Sequence, residues 1–144
     1  PSTITRLQNM GTPDYLISAA CQLVLAQRLA RRTCKECRVP DEDVTPKVLQ
    51  DLGFTAEQAS RAKAFKGKGC PKCKDTGYKG RQGIYEILVV SKPLKEAILR
   101  QATTPELREI AIKEGFQTMQ DMGRRLISAG DLNFREYERV LTSE

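Results

Sequence analysis

Cys34, Cys37, Cys70 and Cys73 fall in two C-x-x-C pairs, and these are the residues best equipped for chemistry. Zinc takes four ligands in a tetrahedron, with thiolate sulfur at about 2.3 Å. One C-x-x-C turn brings two sulfurs to one ion, and its backbone N–H groups can solvate the thiolate charge. A second such turn closes the tetrahedron and leaves no position open to water or substrate, so the expected zinc site is structural. Lys35, Arg38, Lys72 and Lys74 lie beside the ligands and would offset the two negative charges of a four-thiolate zinc centre. The 32 residues between Cys37 and Cys70 exceed the roughly 15–20 of compact zinc ribbons, so the excess reads as an insert of helical segments. A redox C-x-x-C and an iron–sulfur cluster are the competing readings. A thioredoxin-type motif needs only one pair, opening a helix after a strand, and neither pair has that setting. Cys21 lies on the apolar face of a predicted helix and reads as a plain core thiol.

Other chemistries are thinly represented. The chain has no histidine, which removes Ser-His and Cys-His triads and every mixed Cys/His metal site. It has no G-x-x-x-x-G-K-[ST] loop, and Gly67-Lys68-Gly69 resembles one only in composition. Gly77, Gly80 and Gly83 have the wrong spacing for a dinucleotide fingerprint and read as turn residues before a strand. Carboxylates are plentiful, but none form a pair whose convergence the sequence supports. No catalytic residue and no cofactor-binding residue is assigned.

Composition sets the frame for these motifs. At 144 residues, with 40% hydrophobic and 29% charged residues, the chain is an ordinary globular sequence of one domain or two small lobes. There is no run of 18 apolar residues and no charged-then-apolar leader. The formal charge of +6 favours acidic partners, although no long basic block appears and interspersed solvated faces explain it as well. Five cysteines, an odd count with four in C-x-x-C pairs, argue for a reduced cytosol over a secreted disulfide framework. The chain begins without an initiator Met, which suggests a piece of a longer protein.

Three stretches position the motifs. Residues 1–33 begin with a polar lead-in. Thr12-Pro13 then opens a helix with Leu16, Ile17, Ala20, Leu23 and Val24 on one face. Leu25 to Arg31 fits either more helix or a short strand. In residues 34–79, Thr45-Pro46 starts one helix that Gly53 ends, and Thr55 to Gln58 forms a capping box for the next. Residues 66–69 and 76–80 read as turns flanking the second cysteine pair. Residues 80–144 open with a strand near Arg81–Val90, followed by helices in close succession. Ser91 or Pro93 begins the first and Thr104-Pro105 the second, with Leu107, Ile110 and Ala111 facing inward. The third runs from about Thr118 to Ala129. Asn133, with Glu136 three residues on, caps the last, which buries Phe134, Tyr137, Val140 and Leu141. The expected class is α+β, mainly α, closing in a small helical bundle.

Taken in order, three segments resemble a known family. They are Gln27-Arg28-Leu29-Ala30-Arg31 leading into Cys34, then Gly69-Cys70-Pro71-Lys72-Cys73, then Gly80-Arg81-Gln82-Gly83-Ile84-Tyr85-Glu86. Together they look like the C-terminal part of type IV pilus assembly and type II secretion ATPases, and the closing helical stretch fits that family too. The resemblance implies a hexameric, RecA-like P-loop ATPase as parent, cytoplasmic and peripheral at the inner membrane. Such a motor couples hydrolysis of ATP, with Mg2+, to growth of a pilus or pseudopilus, and works on an inner-membrane platform protein. On this resemblance Leu25–Arg31 and Arg81–Leu88 are neighbouring strands at the end of the RecA-like sheet. Residues 1–33 are then the edge of the ATPase core, 34–79 a tetracysteine zinc insert, and 80–144 the last core strand with a helical subdomain. The family's nucleotide motifs would precede Pro1, and the absence of histidine fits a boundary just after its histidine box. Without the resemblance, a basic zinc module for nucleic acid would be the natural reading. Tyr78, Lys79 and Arg81 are the only local mixture of basic and aromatic residues that would serve it.

Overall fold

Residues 1–142 are described by a computed structural model in which the aliphatic side chains gather into two separate cores. The elements run α1 (Ser2–Asn9), α2 (Asp14–Ala20), β1 (Leu23–Thr33), β2 (Arg38–Pro40), α3 (Pro46–Asp51) and α4 (Ala56–Arg61), then β3 (Phe65–Gly67) and a 3-10 turn (Pro71–Cys73). They continue with β4 (Tyr78–Val89), α5 (Lys92–Leu99), α6 (Thr104–Lys113), α7 (Met119–Ala129) and α8 (Phe134–Leu141). The first unit comprises Pro1–Ala26 and Glu86–Thr118, the second Gln27–Tyr85 and the chain from Met119. Among the described residues the sheets are two-stranded, β1 with β4 and β2 with β3, and neither by itself makes a RecA-like sheet. The class is α+β, as expected.

In the first unit, Ile4 of α1, Ile17 of α2, Leu94 and Ile98 of α5, and Leu107 of α6 are all but fully buried together. The segment read as a polar lead-in is therefore a helix. Its apolar content is small, but Ile4, with no exposed surface, anchors it in this core. The helix opened near Pro13 stops at Ala20, so Leu23 and Val24 belong to β1. Leu23–Thr33 is extended throughout, which settles the choice between helix and strand. The Ser91 hydroxyl accepts from the Leu94 N–H, and Glu106 accepts from the N–H of Thr103, so the caps of α5 and α6 form at the predicted sites or one residue away. Each such cap is worth about 1 kcal/mol.

In the second unit, Leu49, Phe54 and Ala59 of the segment between the cysteine pairs share a core with Ile127 of α7 and Tyr137, Val140 and Leu141 of α8. Thr45 caps α3, and Thr55 with Gln58 closes the predicted capping box of α4. Gly53, at φ +88°, turns the chain between them. Gly67, expected in a turn, ends strand β3, which pairs antiparallel with β2. Phe134 is half-buried, and the fully buried residue of α8 that the apolar pattern did not predict is Glu136. The four helices after β4 fall two in each unit.

Candidate metal centre

Cys34 follows directly on β1, and Cys37 precedes β2 by one residue. The β2–β3 ribbon, in register Arg38↔Gly67 to Pro40↔Phe65, carries the chain out to the intervening helices and back. Its end is fixed by the Lys68 N–H donating to the Cys37 carbonyl at 3.1 Å. The second pair sits on the 3-10 turn, where the Cys70 carbonyl accepts from Cys73 at 3.1 Å and from Asp75 at 2.9 Å. Lys74 and Asp75 take left-handed backbone, at φ 54° and 59°, to close this turn so tightly. The Cys34 N–H then donates to the Gly77 carbonyl at 2.9 Å, which joins the two cysteine turns. Glycine is required at two places here. A Cβ on Gly67 would stand 2.1 Å from the Gly77 oxygen, and one on Gly77 2.5 Å from the Gly67 oxygen.

All four Sγ atoms lie within 4.8 Å of one another. Cys34 and Cys70 are 3.9 Å apart, Cys37 and Cys73 3.9 Å, and Cys70 and Cys73 3.6 Å. A tetrahedron with metal–sulfur bonds of about 2.3 Å has edges of about 3.8 Å. The same separations are far beyond the roughly 2.05 Å of a disulfide bond, and the thiols are free. Cys34, Cys37 and Cys73 are buried and Cys70 half-buried, so the cluster is closed on the protein side. Spacing, donor type and burial all fit a four-thiolate ion.

The backbone is arranged for negative sulfur. The N–H groups of Cys70 and Gly77 point at the Cys73 sulfur from 3.2 and 3.3 Å. Burial works against the Cys73 thiolate, yet these donors and the neighbouring thiols outweigh it and bring its pKa down to about 6. Burial, with the three other cysteines, pushes Cys37 up to about 12. One thiol thus ionises at the expense of its neighbours, which is how a crowded set of acids behaves before a cation compensates it.

The cations beside the ligands are less free than their sequence positions suggest. Lys35 pairs with Asp131 at 3.7 Å and Lys72 with Glu36 at 3.5 Å. Arg38 lies over the Phe65 ring, 5.3 Å from its centre, and donates to the Ala129 carbonyl at 3.3 Å. Cys21 is not brought to the cluster. It lies one residue past the end of α2, in extended backbone and not on the helix face expected from sequence, and packs half-buried against the first core.

Sequence reading missed a polar hub close to this centre. The Glu136 carboxylate, with no exposed surface, accepts from the Arg31 backbone N–H at 2.7 Å and from Arg31 Nη2 at 2.9 Å, and also binds Arg139. Arg31 in turn lies over the Tyr78 ring, 4.1 Å from its centre, and the Tyr78 hydroxyl accepts from Asn133 at 2.9 Å. The spacing of Glu136 and Arg139 was a usable signal for half of this hub. Nothing in the sequence ties Arg31 to a residue 105 positions later.

The family model described as type II/IV secretion system protein matches residues 1–139. A type IV pilus assembly ATPase of Myxococcus xanthus is 37% identical over 136 residues, 94% of this chain and 24% of that protein. One of Thermus thermophilus is 42% identical over 123 residues, 83% of this chain and 13% of that protein. A type II secretion system ATPase E of Vibrio cholerae is 34% identical over 135 residues, 84% of this chain and 26% of that protein. The chain thus spans about a quarter or less of the length of these relatives.

Proposed function

Because this chain belongs to the family of type II/IV secretion system proteins, we propose that it is the C-terminal, zinc-binding part of a hexameric motor ATPase. The parent powers type IV pilus assembly or type II protein secretion, binds ATP and Mg2+ through residues outside this chain, and works in the cytoplasm against an inner-membrane platform protein. Residues 1–33 are the edge of its RecA-like core, 34–79 the zinc insert, and 80–144 the last core strand with a helical subdomain. The observation that carries this reading is the tetrahedrally spaced thiol cluster within a chain that the family matches almost end to end. Exposed apolar residues at alternate positions, Leu23 and Leu25 on β1 and Tyr85, Ile87 and Val89 on β4, support it further. Strands in a larger sheet covered by the rest of a motor would carry this pattern. Among the described residues no helix is long and apolar enough to cross a membrane.

Zinc held by Cys34, Cys37, Cys70 and Cys73 supplies a cross-link and no open coordination position. Its product is then a rigid surface, and we assign the insert to coupling: docking on neighbouring subunits and on the platform, where exposed charge sets encounter and specificity. A basic nucleic-acid module finds less support. Tyr78, the aromatic that such a face needs, has one ring face covered by Arg31 and its hydroxyl bonded to Asn133.

Metal analysis of the purified chain is expected to give one zinc per chain, retained in Cys21→Ser. No zinc, or its release by Cys21→Ser, would overturn the site. For coupling, Lys35→Glu, Lys72→Glu and Lys74→Glu in the full-length protein should spare basal ATP hydrolysis and impair pilus assembly or secretion. Arg38 is left intact because it packs on Phe65 and Ala129. Normal assembly by the triple variant would reduce the insert to a stabilising role.

A further inference from the structure

Asp14 is the only ionisable residue lining an open hollow of about 770 Å³ in the first unit. The end of α1, the turn into α2 and the turn from α5 to α6 form its walls. Two carboxamides clamp the Asp14 carboxylate between these walls. Gln8 Nε2 donates to Oδ1 at 2.8 Å, and Gln101 Nε2 donates to Oδ2 at 2.9 Å. The two bonds, that of Gln101 first, hold Asp14 below the usual carboxylate range. Both donors are neutral, and Asp14 makes no ion pair among the described residues. Gln101 itself stands in left-handed backbone, at φ 58°, where α5 ends. Its N–H donates to the Ile98 carbonyl and the Ala102 N–H to that of Ala97, a helix-ending turn that ordinarily takes glycine at this place. Glutamine occupies it instead and supplies the amide that reaches Asp14.

From this arrangement we infer that the hollow around Asp14 is a binding site for an organic cation with N–H donors, a guanidinium or an ammonium group. A carboxylate offers about four acceptor positions, so one donor on each oxygen leaves about half of them open. The amides also leave its negative charge uncompensated, and a cationic donor supplies both the missing bonds and the missing charge. A carboxylate already clamped loses little freedom on binding. The remaining walls offer hydroxyls and amides, and none of their side chains is a cation that would repel such a group. A bond of 2.6 Å between the Thr5 and Thr104 hydroxyls ties α1 to α6, which fixes the walls before a ligand arrives. The volume exceeds that of a cationic head group, so the stem or backbone that carries it fits as well.

The test is titration of the zinc-loaded chain, followed by NMR of its backbone and side-chain amides. The probes are agmatine, which carries both head groups, a capped tripeptide with a central arginine between glycines, and tetramethylammonium, a cation without N–H. Saturable shifts with the first two are expected at the side-chain amides of Gln8 and Gln101. Asp14→Asn should weaken agmatine by about tenfold or more. Gln101→Gly suits the left-handed turn, so it should keep thermal stability and still weaken agmatine severalfold. Glu109→Gln, which removes an exposed carboxylate of α6 outside the hollow, should change nothing. Tighter binding of the peptide than of agmatine would assign the site to an arginine of a protein partner, and the reverse to a free amine. Agmatine binding unchanged by both Asp14→Asn and Gln101→Gly would overturn the site. So would equal losses in Asp14→Asn and Glu109→Gln, or tetramethylammonium binding as tightly as agmatine, since either would reduce the effect to general surface charge.

Discussion

Cys37→Ser is expected to strip the metal and unfold the whole second unit while the first keeps its structure. Structural zinc contributes apparent binding free energies of about 10–16 kcal/mol in small zinc domains. The net stability of a domain is about 5–15 kcal/mol, so loss of one thiolate removes most of what holds such a unit. Read from sequence alone, the insert has few apolar side chains and should melt on chelation before the C-terminal helices. The shared core changes that expectation. Leu49, Phe54 and Ala59 pack with Ile127, Tyr137 and Leu141, so α7 and α8 should lose protection together with α3 and α4. The helices α1, α2, α5 and α6 have their own core around Ile4, Leu94, Ile98 and Leu107 and should be spared. Hydrogen exchange with and without chelator resolves the two sets. Protection retained everywhere would mean that the metal is dispensable. Loss confined to residues 34–79 would restore the insert as a separate folding unit.

The contrast shows what the sequence could convey. The cysteine pairs were legible because ligand chemistry constrains type and spacing together, and the turns that carry them need only local residues. Helix starts at Thr45, Thr55, Ser91 and Asn133 were legible for the same reason, since a cap side chain and the backbone N–H that donates to it lie three residues apart. Division into two cores was not legible, because it depends on which apolar faces meet after β1 and β4 have formed. The helix Ser2–Asn9 was missed because its apolar face rests on only two residues, Ile4 and Leu7, one turn apart in a short and otherwise polar segment. Leu25–Arg31 was ambiguous by periodicity, and it was the family resemblance, not the residues, that favoured the strand now seen. Glu136 was read as a cap partner, and its N–H does donate to Asn133, but its carboxylate is also buried between two arginines, and the contact with Arg31 is long-range and left no trace in the sequence.

That carboxylate carries the other large expected effect. Burial disfavours the charged form of Glu136, but hydrogen bonds from Arg139 and Arg31 outweigh it and lower its pKa to about 2, from the usual 4.5. A carboxylate held below its unfolded pKa stabilises the fold above about pH 4.5, and that contribution is lost as pH falls towards 2. The full difference corresponds to about 3 kcal/mol. Both arginines are about half exposed, at 52% and 54%, so solvent screening reduces the expected value to about 1–2 kcal/mol. Glu136→Gln keeps the volume and one acceptor for the Arg31 N–H but abolishes the charge. Urea unfolding of the zinc-loaded chain should therefore show the variant less stable by about that amount at pH 7. The gap should stay constant from pH 8 down to about 5.5, above the range where Glu136 begins to take up its proton. Acid lability of the thiolates sets the lower end of the useful range, since protons displace metal from cysteine. A stability of the Glu136 protein that rises relative to the variant as pH falls from 7 to 6 would mean that the folded carboxylate titrates high and that the arginines do not hold it. Equal stability of the two proteins throughout would make the hub a surface ion pair of no consequence to the fold.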